Sequence, residues 1–231
     1  MMVVMVVACF APSLVFLGFY ALKERDQPEP LRLLIGVFAA GILAAPIAIV
    51  GFELLAVLDF YGMLEMAHEA PESTIFAYSV FAIGPLEELL KFVAVWATVY
   101  RFRAISAPID GIVYSSAAAV GFAAYENWFA MNLMGEVIWS RALTLPFIHA
   151  LFSSFWGYAV GIERFGPRGV SAGRTLVIVG LVLGMVYHGF YNYILLSPRV
   201  PELLVVPLVF VLWVWTQFAI RQLLRGELSR T

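Results

Sequence analysis

Among its 231 residues the chain has a single cysteine, and only 13% of its residues are charged. One cysteine, Cys9, excludes an intrachain disulfide and any multi-cysteine metal site. It sits in an apolar run and reads as a small packing residue. Soluble domains average about 25% charged and about 45–50% apolar residues, whereas this chain is 62% hydrophobic with a mean hydropathy of +0.91. An ordinary soluble domain is thereby excluded. The net charge of −2, with no basic stripe and no interleaving of aromatic and basic residues, gives no sign of a nucleic-acid partner. No basic residue precedes the first apolar stretch, which at about twenty residues is too long for a signal-peptide core; it reads as a first spanning helix retained in the protein. Long linkers, low-complexity tracts and internal repeats are also missing, so residues 1–231 read as one integral-membrane domain.

What is present is a series of apolar segments, each near the ~20 residues that cross a bilayer. Seven are visible, at about 1–22, 33–57, 75–100, 109–133, 138–162, 173–197 and 201–224. The expected fold is therefore all-α, a polytopic transmembrane helical bundle. Lys and Arg alternate between abundant and scarce along the connectors. Lys23, Arg25 and Arg32 lie in the first connector, none in the second (Asp59 to Thr74), and Arg101 and Arg103 in the third. Arg141 stands alone near the fourth, Arg164, Arg168 and Arg174 mark the fifth, and Arg199 stands alone in the sixth. Arg221, Arg225 and Arg230 follow the last span. Positive charge collects on the cytoplasmic side, which predicts a multi-pass protein with the N-terminus outside and the C-terminus in the cytoplasm.

Several polar groups sit where a bilayer makes them costly. The third segment, IFAYSVFAIGPLEELLKFVAVWATVY, carries Glu87, Glu88 and Lys91 at its middle. Each charge at that depth costs about 2.5–3.5 kcal/mol on insertion scales. Such groups persist when they face a protein or water-filled interior. The next three segments carry Glu126 and Asn127, then His149, then His188 and Asn192. At 1.5 Å per residue, Glu87, Glu126, His149 and His188 fall roughly 18, 10, 16 and 14 Å from the outer ends of their segments. That common depth predicts one site shared by the third to sixth segments. Glu87 and Glu88 stand four and three residues before Lys91, within reach on one helix face. His188 and Asn192, and His149 and Ser153, are spaced in the same way. Gly84-Pro85 just before the glutamates allows a kink.

One lysine neutralises one carboxylate, so a structural Glu–Lys pair accounts for one glutamate and leaves the other available as a general base or acid. Glu126-Asn127 reads either as an interhelical hydrogen-bonding pair or as support for the site. A lone buried histidine is usually a packing residue; two at one depth opposite carboxylates point to chemistry. Asn192 would orient the His188 ring or donate to an oxyanion. His68, in an outer loop, has no assigned role. Two histidines and a glutamate are a catalytic zinc ligand set, but the HExxH spacing is absent, and a metal-free site that activates water fits the same residues. No cofactor is called for, and zinc stays open. Intramembrane Glu, His and Lys also build proton relays, so a proton-coupled transporter is an alternative, as is a non-catalytic membrane partner protein.

These residues resemble a known family. EELLK (Glu87 to Lys91), GFAAYEN (Gly121 to Asn127), HALFS (His149 to Ser153) and HGFYN (His188 to Asn192) are similar, in order, to the motifs of the PrsW intramembrane proteases, related to type II CAAX prenyl proteases and bacteriocin-processing proteins. YALKERDQPEP (Tyr20 to Pro30) is similar to that family's first loop. The resemblance implies a glutamic-type intramembrane endopeptidase, with Glu87, Glu88, His149, His188 and Asn192 catalytic and Lys91, Glu126 and Asn127 supporting. It also implies a single-span membrane substrate such as an anti-sigma factor, cut on the extracytoplasmic side.

Overall fold

A computed structural model describes residues 1–22, 30–57, 70–101, 104–166 and 170–228. Among them no strand occurs, and the chain forms long helices, which satisfy their own backbone hydrogen bonds where lipid offers none. In order they are α1 (Met2–Leu22), α2 (Leu31–Val57), α3 (Glu72–Tyr78), α4 (Gly84–Val95), α5 (Asp110–Met134), α6 (Trp139–Phe165), α7 (Val170–Leu196) and α8 (Val205–Leu228). α3 and α4 are one rod, joined by a π-helical segment at Ser79–Ile83 and extended by a second at Trp96–Tyr100. The rods coincide with the apolar segments of the sequence to within a few residues. Five of the helices are long and apolar enough to cross a membrane. The two rods outside that group, α3–α4 and α5, carry the buried acids Glu87 and Glu88 on one and Asp110 on the other, with the partly exposed Glu126. The first of these rods is interrupted by its π-helical turns, and the second is diluted by its polar residues.

The Gly84-Pro85 irregularity takes a specific form. Pro85 has no N–H to give the preceding turn. The ladder widens just before it, with the Gly84 N–H reaching back to the Ser79 carbonyl. A π-turn of this kind re-aims the residues after it, and such turns gather at functional sites; here the residues after it are Glu87 and Glu88.

α5 is the central helix, buried along almost its whole length and packed by α1, α2 and α6. α6 packs in turn on α7, and α4 lies against α2 and α7. Large apolar side chains on α1, α2 and α8 face outward, as lipid contact requires. Without a hydrophobic drive between helices in lipid, close approach depends on small residues. The α4–α7 contact is the tightest of these for the site. A Cβ on Gly84 would strike the Met185 carbonyl and lie 2.8 Å from the Gly189 nitrogen. Gly84→Ala is therefore expected to push α4 from α7, one turn from both Glu87 and His188. Overpacking costs about 1–3 kcal/mol, so a lower melting temperature in detergent is the expected reading; an unchanged one would refute this account of the contact.

The loop resemblance between Lys23 and Glu29, His68, and the topogenic charges Lys23, Arg25, Arg103, Arg168 and Arg230 lie outside the described residues. Cys9 is buried, its Sγ 3.6 Å from Met131 Sδ, a packing role as expected.

Candidate active site

Adjacent residues on a helix point about 100° apart, and this separates the two glutamates. Glu88 faces α6 and α7, and both its oxygens are taken. Oε1 accepts from Lys91 Nζ at 2.8 Å and from His188 Nδ1 at 3.0 Å. Oε2 accepts from Ser153 Oγ at 2.8 Å and from Trp156 Nε1 at 3.0 Å. Glu87 is differently placed. Its Oε2 is buried without a hydrogen-bond partner, 3.5 Å from Lys91 Nζ and 3.6 Å from His188 Nε2.

The two histidines approach from α6 and α7 with ring centroids 4.9 Å apart. A carboxylate only accepts, so His188 carries its proton on Nδ1, toward Glu88, and presents the Nε2 lone pair toward Glu87. Phe152 stacks on the His188 ring at 4.6 Å and 14°, fixing its plane. His149 has the opposite arrangement. Lys91 Nζ lies 2.9 Å from His149 Nδ1, and an ammonium flanked by two carboxylates donates. His149 Nδ1 is then the acceptor and its proton sits on Nε2, 3.3 Å from Glu126 Oε2. Glu126 is in turn paired with Arg141. The site grades outward: Glu87, Glu88, Lys91, His149 and His188 are all buried, while Glu126 and Arg141 side chains are 25% and 30% exposed.

Six of the residues singled out in the sequence thus converge: Glu87, Glu88, Lys91, Glu126, His149 and His188. Asn127 is buried, but neither amide atom has a hydrogen-bond partner among the described residues. Asn192 donates to the backbone carbonyl of His188 at 3.2 Å; Glu88, not Asn192, orients the His188 ring. Sequence reasoning did not assign Trp156, Ser153 or Arg141 to the site. A usable signal existed for two of them, because His149, Ser153 and Trp156 follow an i, i+4, i+7 line on α6. Arg141 lies two turns before His149 and gave no comparable signal.

A cluster of acids, imidazoles and an ammonium sealed inside a membrane helical bundle defines a membrane-embedded acid–base centre. A family model described as "PrsW family intramembrane metalloprotease" matches residues 29–216, and the chain belongs to that family. It is a multi-pass membrane peptidase. It is 28% identical over 217 residues to Protease PrsW of Oceanobacillus iheyensis, covering 93% of this chain and 94% of the relative. To Protease PrsW of Geobacillus kaustophilus it is 30% identical over 189 residues, covering 81% and 77%. To that of Bacillus subtilis it is 29% identical over 210 residues, covering 89% of each. No solved structure matches the chain.

The family description names a metal. Glu87, His149 and His188 each place a ligand atom within 4.8 Å of the others, the composition of a catalytic zinc site. Their protons do not suit one. His188 Nε2 and Glu87 Oε2 offer lone pairs, but with Lys91 donating to Nδ1 the third lone pair, on His149 Nε2, is occupied by hydrogen. Lys91 already places a cation 3.5 Å from Glu87. The arrangement suits a water better than a divalent ion.

Proposed function

We propose that this protein is a metal-free, glutamate-dependent intramembrane endopeptidase of the plasma membrane that hydrolyses a single-span membrane protein on or near the extracytoplasmic side, in the manner of site-1 cleavage of an anti-sigma factor. The observation that carries the reading is the unpartnered Glu87 Oε2 facing the His188 Nε2 lone pair. Two acceptors side by side can both take hydrogens from one water. Glu87 removes a proton as the water oxygen bonds the scissile carbonyl carbon, the role of a general base. The developing oxyanion takes the His149 Nε2–H, which lies 3.3 Å from Glu126 Oε2 without a hydrogen bond to it, and Glu126 keeps Arg141 as its partner. The second N–H of Asn192 is the other donor for that oxygen. As the C–N bond breaks, the proton held by Glu87 passes to the departing amine. Glu88 and Lys91 hold the two imidazoles and balance charge, and Asn127, with its amide unpartnered, lines α5 beside Glu126.

The test is co-expression with tagged single-span membrane proteins that carry a cytoplasmic regulatory domain. A fragment produced by wild type and not by His149→Ala supports the reading; a fragment produced equally by both overturns the site. In detergent, 1,10-phenanthroline is expected to leave cleavage unchanged. Loss on chelation with recovery on adding zinc would overturn the metal-free mechanism.

A further inference from the structure

An apolar groove of about 500 Å³ lies between α6, α7 and α8, lined by Thr144, Ile148, Tyr191, Val205, Val209 and Phe210 among others. α8 rests mainly on α6 and touches α7 little, which leaves the groove open between them. Its rim residues Val206 and Phe210 are exposed on the lipid side, so it opens sideways into the bilayer. It runs beside the site. Ile148 immediately precedes His149. Tyr191 packs 5.5 Å from Phe152, which stacks on His188, so one aromatic layer separates groove from imidazole. All three helices contribute the ends that lie near the half-exposed Glu126–Arg141 pair, namely the start of α6, the end of α7 and the start of α8. Arg141 and Ile148 are seven residues apart and fall on one line of α6. A cation thus stands at the end of an otherwise apolar wall, and its Nε is buried without a hydrogen-bond partner.

We propose that this groove is the port through which the substrate's transmembrane helix enters from the lipid, and that Arg141 sets its register by pairing with an acidic residue flanking that helix. The inference rests on the peptidase reading above and adds a route and a specificity-determining residue to it. An apolar helix fits the lining, and the partly exposed guanidinium of Arg141, though paired with Glu126, offers charge to a second carboxylate at one end only. The port also explains why the site is otherwise sealed. The substrate reaches it from the side, and the water comes by way of Glu126 and Arg141.

The experiment places photoreactive benzoylphenylalanine at Val206, with Val15 on the outward face of α1 as control, in chains co-expressed with whichever tagged single-span protein wild type cleaves. A crosslink to substrate from Val206 and none from Val15 is the expected result. Cleavage by wild type with equal labelling from both positions, or none from Val206, overturns the port and leaves the peptidase reading standing. Absence of any cleavage or crosslink overturns both. In the same assay Arg141→Gln is expected to raise KM about tenfold, separately from the fall in kcat expected when Glu126 loses its partner. The KM effect should vanish on a substrate whose flanking Asp or Glu is neutralised. A KM increase that persists on the neutral substrate overturns the register role.

Discussion

Glu87→Gln is expected to leave a folded, monodisperse protein that no longer cuts. The substitution is nearly isosteric, and the oxygen it changes makes no hydrogen bond that folding depends on. Lys91 keeps its shorter contact to Glu88, 2.8 Å against 3.5 Å to Glu87, so the ammonium remains paired. What disappears is a buried carboxylate oxygen with no hydrogen-bond partner, free to take a proton. General bases contribute about 10²- to 10⁴-fold to rate, so initial rates of fragment formation should fall by at least about 10²-fold. The melting temperature should stay at or above the wild-type value, since one buried charge is gone. Near-full cleavage by Glu87→Gln would sink the mechanism, because Glu88 has no free lone pair facing the cavity to replace it.

The division of labour between the two glutamates was the part of the site least legible in the sequence. Both lie within one helical turn of Lys91, and spacing alone gives either of them the same partner. Which one turns toward Ser153, Trp156 and His188 depends on the π-turn at Ser79–Ile83 and on how closely Gly84 lets α4 approach α7. Those are tertiary facts. The helices were legible because lipid imposes a minimum apolar length on every span, and the convergence of Glu87, Glu126, His149 and His188 because a shared depth is additive along straight rods. The metal question was not legible for a different reason. Composition offers Glu-His-His to zinc and to water alike, and the choice between them turns on the imidazole tautomers, on which the contact of Lys91 with His149 Nδ1 bears. Asn192 shows the same limit: an i,i+4 spacing places it beside His188 but does not distinguish the ring from the backbone carbonyl, and the carbonyl is what it meets. Arg141 was read as a topogenic charge near a connector; that it turns inward to Glu126 follows from α5 and α6 packing along their length.

Glu88→Ala, by contrast, is expected to fail as a structure before it fails as a catalyst. The carboxylate holds Lys91, His188, Ser153 and Trp156 together across α4, α6 and α7. Removing one member of a buried ion pair while leaving the other costs about 3–5 kcal/mol, and here a fully buried lysine is left with only its longer contact, 3.5 Å to Glu87. Early unfolding in detergent, or poor yield of monodisperse protein, should be the outcome. The double variant Glu88→Gln, Lys91→Met separates charge from geometry. With both charges gone the desolvation cost of the Glu88–Lys91 pair disappears, although Glu87 loses its nearby ammonium, and Gln can still accept from Ser153 and Trp156, so stability should recover above that of Glu88→Ala, the non-additivity expected of groups in one network. Cleavage should stay lost, because His149 no longer has the Nδ1 donor that directs its proton to Nε2. Glu88→Ala with wild-type thermal stability would show that Glu88 does not organise the site, and a stable double variant that still cleaves would remove Lys91 from the mechanism.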